Sequence, residues 1–385
     1  MKSISQSKLK LNKDPPGVVP YVEIKTVTWS KDSHGLFDYE NSNYDMRKFV
    51  ITNSAYFYRF ANEIKVGYKD QPISPEMDKI EFLLSLAQES QNPEKYRIEI
   101  PGDYPAQNTN TLSSYLIVRS LKCSDGKNQR GYTLNAGCII KLGRIEYRVL
   151  EVCPQAGGVP ESINYNLYQN ESIFDIETQN HPIESGDHLC RICYGDHLQN
   201  ASGVDDVMLY MCDCRGSTGG VHYQCLKTWI NYKIVSKNHY NNILTYQWKK
   251  LECDICLKPY PRRVSYAGIV YEFLSVQKPN TPYIVIEKLM PELNFSSNIS
   301  IVSLEDKQEV KIGRQHVCDL RISDISVSRV HAFLKFNDKK FSLFDNDSKF
   351  GTLIFLDKDY PVRSEKAAIQ IGRTVFTFVV KYQQR

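Results

Sequence analysis

Apolar and polar residues alternate over two long blocks of the chain, and this alternation predicts β-strands. In the first block, residues 20–153, Val, Ile, Tyr and Phe alternate with polar residues in short runs that Gly, Asn and Pro separate. Residues 263–385 repeat this texture in a second block. Such runs are typical of half-buried strands. The pattern therefore predicts a multidomain, mainly β chain with a β-sandwich in each block.

One stretch of the first block has helical rather than alternating periodicity. Ser74 can cap a helix and Pro75 suits its first turn, and the pattern ends at Asn92-Pro93. The apolar residues of its one face are Met77, Ile80, Leu84 and Ala87. We therefore predict a helix inserted in the first sandwich.

Two segments, residues 138–152 and 367–381, have the same layout. Each contains an apolar strand, a Leu/Ile-Gly-Arg turn and a second alternating strand. Gly-Arg turns are common, so an internal repeat and a chance match both remain open. A true repeat would make both blocks sandwiches of one type.

The other segments and the composition indicate an intracellular protein. Residues 1–19 are polar, basic and proline-containing, which predicts a disordered tail, and residues 154–186 lack periodicity, which predicts a linker. The 48 basic and 44 acidic residues leave a net charge of +4, so we expect no nucleic-acid partner. Since we find no apolar stretch of membrane-spanning length and no signal-peptide pattern, we expect a soluble, cytoplasmic or nuclear chain.

Seven of the eleven cysteines and one histidine form four closely spaced pairs. The pairs are Cys190 and Cys193, Cys212 and Cys214, His222 and Cys225, and Cys253 and Cys256. In an intracellular protein such pairs indicate metal rather than disulfides. Thiolates and imidazole suit zinc, so the spacing predicts two tetrahedral zinc sites. His188 and His197 are nearby alternatives to His222, which is favoured because it is paired with a cysteine.

The segments CRICYGD (190–196) and CDCRGSTGGVHYQCLKTWI (212–230) resemble the RING-CH, or RING-variant, finger of the membrane-associated RING-CH ubiquitin ligases. The resemblance implies a finger over residues 187–262 that holds two Zn²⁺ in a cross-brace. One zinc would take Cys190, Cys193, His222 and Cys225, and the other Cys212, Cys214, Cys253 and Cys256. PHD fingers share this ligand order, but they usually have a Trp two residues before the seventh ligand, where this chain has Leu251.

The resemblance also implies an activity. A RING-type ligase holds a ubiquitin-charged conjugating enzyme, and Ile192 and Trp229 would form that contact; alternatively, both only pack the finger core. The zinc ions would be structural, so no catalytic residue is expected. The chain departs from the family in lacking its transmembrane pair and in having 27 residues between Cys225 and Cys253. Leu257 also stands where many active RING fingers have a cation, which leaves the strength of the ligase open.

Three motif pieces in the second block resemble a forkhead-associated (FHA) domain. They are Gly313-Arg314, Ser328-x-x-His331 and the run SKFGT at 348–352. The resemblance implies that Arg314 and Ser328 bind the phosphate of a phosphothreonine, with Arg329 and Lys349 as helpers. A phosphate dianion needs such converging guanidinium and hydroxyl donors. Phe350 replaces the usual Asn, and a purely structural sandwich is the alternative. The first block shows no Ser-x-x-His, so Arg144 is interpreted as a surface residue.

Together these features predict a RING-type E3 ubiquitin transferase. Its partners would be a ubiquitin-conjugating enzyme, held by the finger, and phosphothreonine-containing proteins, recruited by the FHA domain. The alternative is a non-catalytic scaffold in which the finger and the sandwiches only bind proteins.

Overall fold

The computed structural model describes most of the chain in segments. These are residues 18–29, 36–60, 63–68, 80–89, 92–100, 112–122, 128–162, 174–175, 189–195, 206–239, 242–248, 251–261, 263–266, 268–289, 297–304, 307, 309–363 and 365–384. The chain divides into two compact units. The first combines Met1–Arg130 with Lys349–Arg385, and the second is Gly131–Ser348.

The first unit consists of two β-sheets. Numbered along the whole chain, its strands are β1 (Val18–Trp29), β2 (Tyr44–Ile51), β3 (Ala55–Phe60), β4 (Glu63–Tyr68), β5 (Ile80–Glu89), β6 (Asn92–Glu99), β7 (Ser114–Ile117), β25 (Thr352–Phe355), β26 (Tyr360–Val362), β27 (Ala367–Ile371) and β28 (Thr374–Gln384). One sheet has the order β25-β7-β27-β28-β1-β2 and the other β26-β6-β5-β3-β4. A 3₁₀ turn, Val118–Ser120, follows β7. Phe57 of β3 packs edge-on against Phe376 of β28, which places part of the core between these sheets.

The second unit contains a sandwich and the cysteine-rich finger. Its elements are β8 (Tyr132–Thr133), β9 (Ile139–Leu142), β10 (Ile145–Cys153), β11 (Glu161–Ser162), β12 (Phe174–Asp175), β13 (Met208–Leu209), β14 (Val221–His222), α1 (Tyr223–Tyr232), β15 (Val235–His239), β16 (Ile243–Trp248), β17 (Arg263–Tyr266), β18 (Ile269–Glu272), β19 (Tyr283–Leu289), β20 (Ser297–Ser303), β21 (Glu309–Gly313), β22 (Leu320–Arg321), β23 (Ala332–Asn337) and β24 (Lys340–Asp345). The sandwich consists of two sets of strands: the run β15-β16-β20-β19-β10-β9 and the separate sheet β22-β21-β23-β24-β8. The finger adds the short ribbons β13-β14 and β12-β17-β18, and a 3₁₀ turn, Gly216–Thr218.

The mainly β, multidomain architecture agrees with the alternating sequence pattern. Most of the predicted tail and much of the predicted linker lie outside the described residues. Within the described part of the chain, no helix is long and apolar enough to cross a bilayer.

The helix predicted in the first block is wrong over the residues that the structure describes. Ile80–Glu89 is a strand, β5, which pairs with β3 and β6, while Ser74, Pro75 and Met77 lie outside the described residues. A bulge breaks its alternation, because Leu84 opposes Phe57 and Phe82 opposes Tyr58, which leaves Leu83 without a partner in β3. Leu83 and Leu84 are therefore both buried, and the strand lacks the strict alternation that identifies regular strands in the sequence.

The two hairpins of similar sequence hold matching places in the two units. β10 pairs with β9 and β19, and β28 pairs with β27 and β1, all antiparallel. Each hairpin nevertheless belongs to the unit that contains most of the other block. β9–β10 completes the sandwich of the second block, and β27–β28 completes that of the first. These units therefore cut across the linear boundaries predicted at 20–153 and 263–385.

Candidate metal centres and phosphate-binding loops

The eight candidate ligands form two groups in the second unit. In each group all ligand atoms lie within 4.8 Å of one another. The first group is Cys190, Cys193, His222 and Cys225, and the second is Cys212, Cys214, Cys253 and Cys256. This alternation of pairs along the chain is the cross-brace that the resemblance implies. His188 and His197, the alternatives to His222, lie outside the described residues.

Local structure explains how each ligand is held. His222 ends β14 and Cys225 lies in the first turn of α1, so one short strand-to-helix junction supplies half of the first group. The helix buries Leu226 and Ile230 in the finger core, which also contains Cys190 and Cys253. Packing therefore helps to hold the ligands in place.

The distances within both groups suit a tetrahedral zinc ion. Zinc–sulfur bonds of about 2.3 Å and zinc–nitrogen bonds of about 2.0 Å place sulfurs about 3.8 Å apart, and sulfur and nitrogen about 3.5 Å apart. The Sγ atoms of Cys214 and Cys253 are 3.7 Å apart. Nδ1 of His222 lies 3.3 Å from Sγ of Cys193 and 3.9 Å from Sγ of Cys225. Four soft donors fill each group, so both fit a closed, structural zinc site.

Two matching turns present the outer ligand pairs. The backbone N–H of Ile192 donates to Sγ of Cys190 and that of Ile255 to Sγ of Cys253, both at 3.4 Å. Each turn ends in a bulky residue with a left-handed backbone: Tyr194 has φ 59° and Leu257 has φ 61°. Side chains other than glycine rarely adopt this conformation, so both turns carry backbone strain.

Arg191 links the two ligand groups, and the sequence reasoning missed it. It lies between the first pair of ligands, yet its Nη1 donates to Sγ of Cys253 at 3.3 Å and to Sγ of Cys212 at 3.5 Å. Burial opposes ionisation of the Cys253 thiol, but N–H donors from the Cys256 turn and the Arg191 guanidinium together lower its pKa to about 5. The sequence shows only that Arg191 follows Cys190. Its role could not be predicted, because the cysteines that it contacts are far away in sequence.

The two residues predicted to contact a conjugating enzyme lie in different surroundings. Ile192 is exposed at the tip of the first turn. Trp229, on α1, is half-buried and packs edge-on against Tyr260. Nζ of Lys233 lies 3.5 Å from the centroid of the Trp229 ring and also pairs with Asp254. Both residues thus contribute to the finger surface, and Trp229 also packs its core.

The long segment between the sixth and seventh ligands joins the finger to the sandwich. After α1 it forms the hairpin β15–β16, and β16 pairs with β20 from Ile243↔Val302 to Trp248↔Ser297. The hydroxyls of Thr245 and Ser300 lie 3.0 Å apart in this buried pairing. The extra length is therefore a structural connection that places the finger on one edge of the sandwich sheet.

A backbone network shapes the candidate phosphate-binding loops. The N–H of Arg314 donates to the carbonyl of Ser328, and that of Gln315 to Arg329, both at 3.1 Å. Buried His331 accepts a bond from the N–H of Ser328 on its Nδ1 at 3.0 Å. A Cβ at Gly313 would lie 2.4 Å from the carbonyl oxygen of Arg329, so only glycine permits this approach. Gly313 and His331 thus hold the loops together.

The structure brings three of the four predicted phosphate-binding residues together. Arg314 and Arg329 are exposed beside half-buried Ser328 on adjoining loops of the second unit. Lys349 begins the C-terminal segment of the first unit, where its Nζ lies 3.1 Å from Oδ2 of Asp38. Arg144 has an exposed side chain, while its backbone N–H donates to Oγ of Ser326.

Comparison with known protein families agrees with these sites. Residues 190–256 match the RING-variant domain and residues 310–375 match the FHA domain. The first match contains both ligand groups, and the second contains the loops around Arg314 and Ser328. Comparisons with curated proteins and with solved structures gave no significant match. The chain therefore carries a RING-variant domain followed by an FHA domain on a mainly β framework.

Proposed function

We propose that the protein is a RING-type E3 ubiquitin ligase that recruits phosphothreonine-containing proteins. The observation that carries this proposal is the presence, in one compact unit, of a RING-variant finger with two complete ligand groups and of exposed FHA loops. The finger would hold the conjugating enzyme and the loops the phosphorylated protein.

Zinc is the metal proposed for both ligand groups. Cysteine thiolates with at most one imidazole favour zinc, and each group already supplies four donors. A closed site leaves no position for a reactive water, so the metal supplies folding stability rather than chemistry. The chain's residues then act by binding and orienting the conjugating enzyme.

The tips of the two outer turns support the proposed contact with a conjugating enzyme. Ile192, Ile255 and Leu257 are 36%, 60% and 62% exposed, which is unusual for such apolar side chains. Burying them against a partner would release water and favour association. Trp229, half-buried on α1, would contribute the exposed part of its ring.

For the phosphate, exposed Arg314 and the Ser328 hydroxyl are the proposed ligands. A guanidinium and a hydroxyl held by loops on a rigid sandwich make charge-assisted bonds to a phosphate dianion. Arg329 is the proposed helper from the same loop.

The ligase activity can be tested by reconstitution. Purified zinc-loaded protein is mixed with activating enzyme, ubiquitin and a panel of conjugating enzymes. We expect ubiquitin chains with at least one conjugating enzyme, and a loss of about tenfold or more for Ile192→Ala, since interface anchors of this kind carry much of the binding energy. The control is Ile269→Ala, because Ile269 is 56% exposed on β18, outside the finger's ligand turns. Absence of chains with every conjugating enzyme would reject the proposal.

Phosphate recognition needs its own measurement. We expect a phosphothreonine peptide to bind at least tenfold more tightly than its unphosphorylated form, and Arg314→Ala to remove that difference. Exposed Arg215, in the finger, provides the control Arg215→Ala. If Arg314→Ala binds the phosphopeptide as well as the wild type, the phosphate role is wrong.

One observation favours the alternative of a non-catalytic scaffold. Leu257 occupies the position after the last ligand, and Lys258, the next cation, pairs with Asp213 at 2.6 Å. A scaffold would bind both partners and yield no ubiquitin chains, which the reconstitution separates from a ligase.

A further inference from the structure

Three exposed arginines border the candidate phosphate-binding loops and have no carboxylate partner among the described residues. Arg314, Arg321 and Arg329 make no ion pair within the described part of the chain. Some other arginines do form such pairs: Arg47 and Arg97, for example, pair with Glu63 and Glu99. Exposed guanidinium groups that stay unpaired and share one edge form a local anion-binding surface.

Backbone pairing brings Arg321 beside the proposed phosphate ligand. β21 and β22 run parallel, with Gly313 opposite Arg321. Nε of Arg321 lies 3.4 Å from the carbonyl oxygen of Arg314, and the N–H of Ile322 donates to the carbonyl of Gly313 at 2.9 Å. This leaves the outer nitrogens of Arg321 available to a ligand next to Arg314.

Two nearby carboxylates, those of Asp319 and Asp324, are already engaged by other groups. Asp319 accepts bonds from Nζ of Lys307 at 2.5 Å and from the N–H of Lys311 at 2.8 Å. Asp324 accepts two bonds from Ser326, and its pKa is lowered: burial opposes this shift, and the Ser326 bonds outweigh it. Neither carboxylate neutralises the three arginines, so this edge of the loops stays cationic.

A single phosphothreonine would contact only part of this cationic surface. Its phosphate is accounted for by Arg314 and Ser328, with Arg329 as helper, and Arg321 is then an additional cation. We propose that Arg321 forms a subsite for a second anionic group of the same peptide, a phosphate or a carboxylate near the phosphothreonine. This inference rests on the proposed function and adds a preference that the FHA resemblance did not assign to any residue.

The test measures binding of labelled phosphothreonine peptides to the full chain. In one peptide, the residues that flank the phosphothreonine are neutral. In two further series, a single Glu or a single phosphoserine is placed at each flanking position in turn. We expect the best second anion to tighten binding by about five- to tenfold, as for a hydrogen bond to a charged group. Comparison of the two series tells a carboxylate site from a phosphate site.

Variants at Arg321 decide whether it is responsible. Arg321→Ala should abolish the preference for the second anion and leave the affinity for the neutral peptide within about twofold. Arg321→Lys should keep part of the preference, because it retains the charge but not the planar fork. Arg215→Ala, the control, should change nothing.

Two results would overturn the inference. The first is wild-type protein that binds phosphothreonine but gains nothing from a second anion; the second is an Arg321→Ala variant that keeps the full preference or weakens all peptides equally. Failure of the proposed function looks different, since no phosphothreonine peptide would then bind better than its unphosphorylated form.

Discussion

Leu257 and Tyr194 have left-handed backbones at the ends of the two metal-binding turns. We expect that glycine at position 257 removes the backbone strain and loses little packing, because the Leu257 side chain is 62% exposed. Leu257→Gly should raise the free energy of unfolding by about 0.5–1 kcal/mol, measured by denaturant unfolding with zinc present.

The matched control for this change is Ile255→Gly. Ile255 is also exposed but its φ is not left-handed, so glycine there should lower stability by about 0.5–1 kcal/mol. Equal losses in both variants would show that the Leu257 backbone is not strained. A gain in stability with a loss of ligase activity would indicate that the Leu257 side chain contacts a partner.

Arg191 should matter for metal binding at the second ligand group. It donates to two of the four sulfurs there, and removing such outer-shell partners typically weakens metal affinity by about ten- to a hundredfold. We expect Arg191→Ala to release one of the two zinc ions at lower concentrations of a chromophoric chelator. Unchanged release relative to Arg215→Ala would contradict this role.

At the residue scale, the sequence predicted which residues are the candidate metal ligands, but not which side chains hydrogen-bond to them. The eight ligands follow from pair spacing, because zinc imposes it. Arg191 contacts cysteines 21 and 62 residues away, a pairing that exists only after folding. Likewise, the pairing of Lys349 with Asp38 could not be read from the motif around Lys349.

At the scale of elements, the hairpin β15–β16 couples the finger to the sandwich. Ile234, Leu251 and Leu274 pack against both the finger core and the core around Tyr246 and Trp248. Asn231, near the end of α1, adds bonds to the N–H of Ser275 and the carbonyl of Phe273. The sequence indicated only that this segment was long, because its strands depend on pairing with β20.

Metal removal should therefore loosen the sandwich edge as well as the finger. After chelation, we expect amide hydrogen exchange to accelerate in β16 and β20, since the second ligand group anchors the end of the segment that carries β16. Strands β23 and β24, in the other sheet of the same unit, serve as the internal control. Acceleration confined to the ligand turns would show that the two parts fold independently.

The bulge in β5 shows why some elements were not predictable. Alternation fails where Leu83 and Leu84 are both buried, and one sequence window cannot tell a bulged strand from a short helix. Strands without bulges, such as β3, alternate buried and half-buried residues and were predicted from their pattern.

At the scale of the whole molecule, the sequence pattern did not predict which unit each of the hairpins β9–β10 and β27–β28 belongs to. Each hairpin was recognised, but its partner strand lies more than a hundred residues away: β1 pairs with β28 from Val18↔Gln384 to Thr28↔Thr374. The domains predicted from the sequence are therefore continuous segments, whereas the first compact unit combines two separate segments.

A truncated chain tests this arrangement. The fragment 20–153 lacks β25 to β28, so β7 loses both partner strands, β1 keeps only β2, and the core around Phe376 is absent. We expect it to show no cooperative thermal unfolding, in contrast to the full chain. A fragment that unfolds cooperatively, with dispersed amide resonances, would mean that the first block folds as its own sandwich.

The FHA loops are proposed to select the protein that the finger modifies. The most direct measurement is the rate of ubiquitin transfer to a model protein that carries one threonine, phosphorylated or not, in competition. We expect the phosphorylated form to be modified at least tenfold faster, Arg314→Ala to remove that advantage, and Ile192→Ala to slow both forms. Equal rates for the two forms in the wild-type protein would contradict the account.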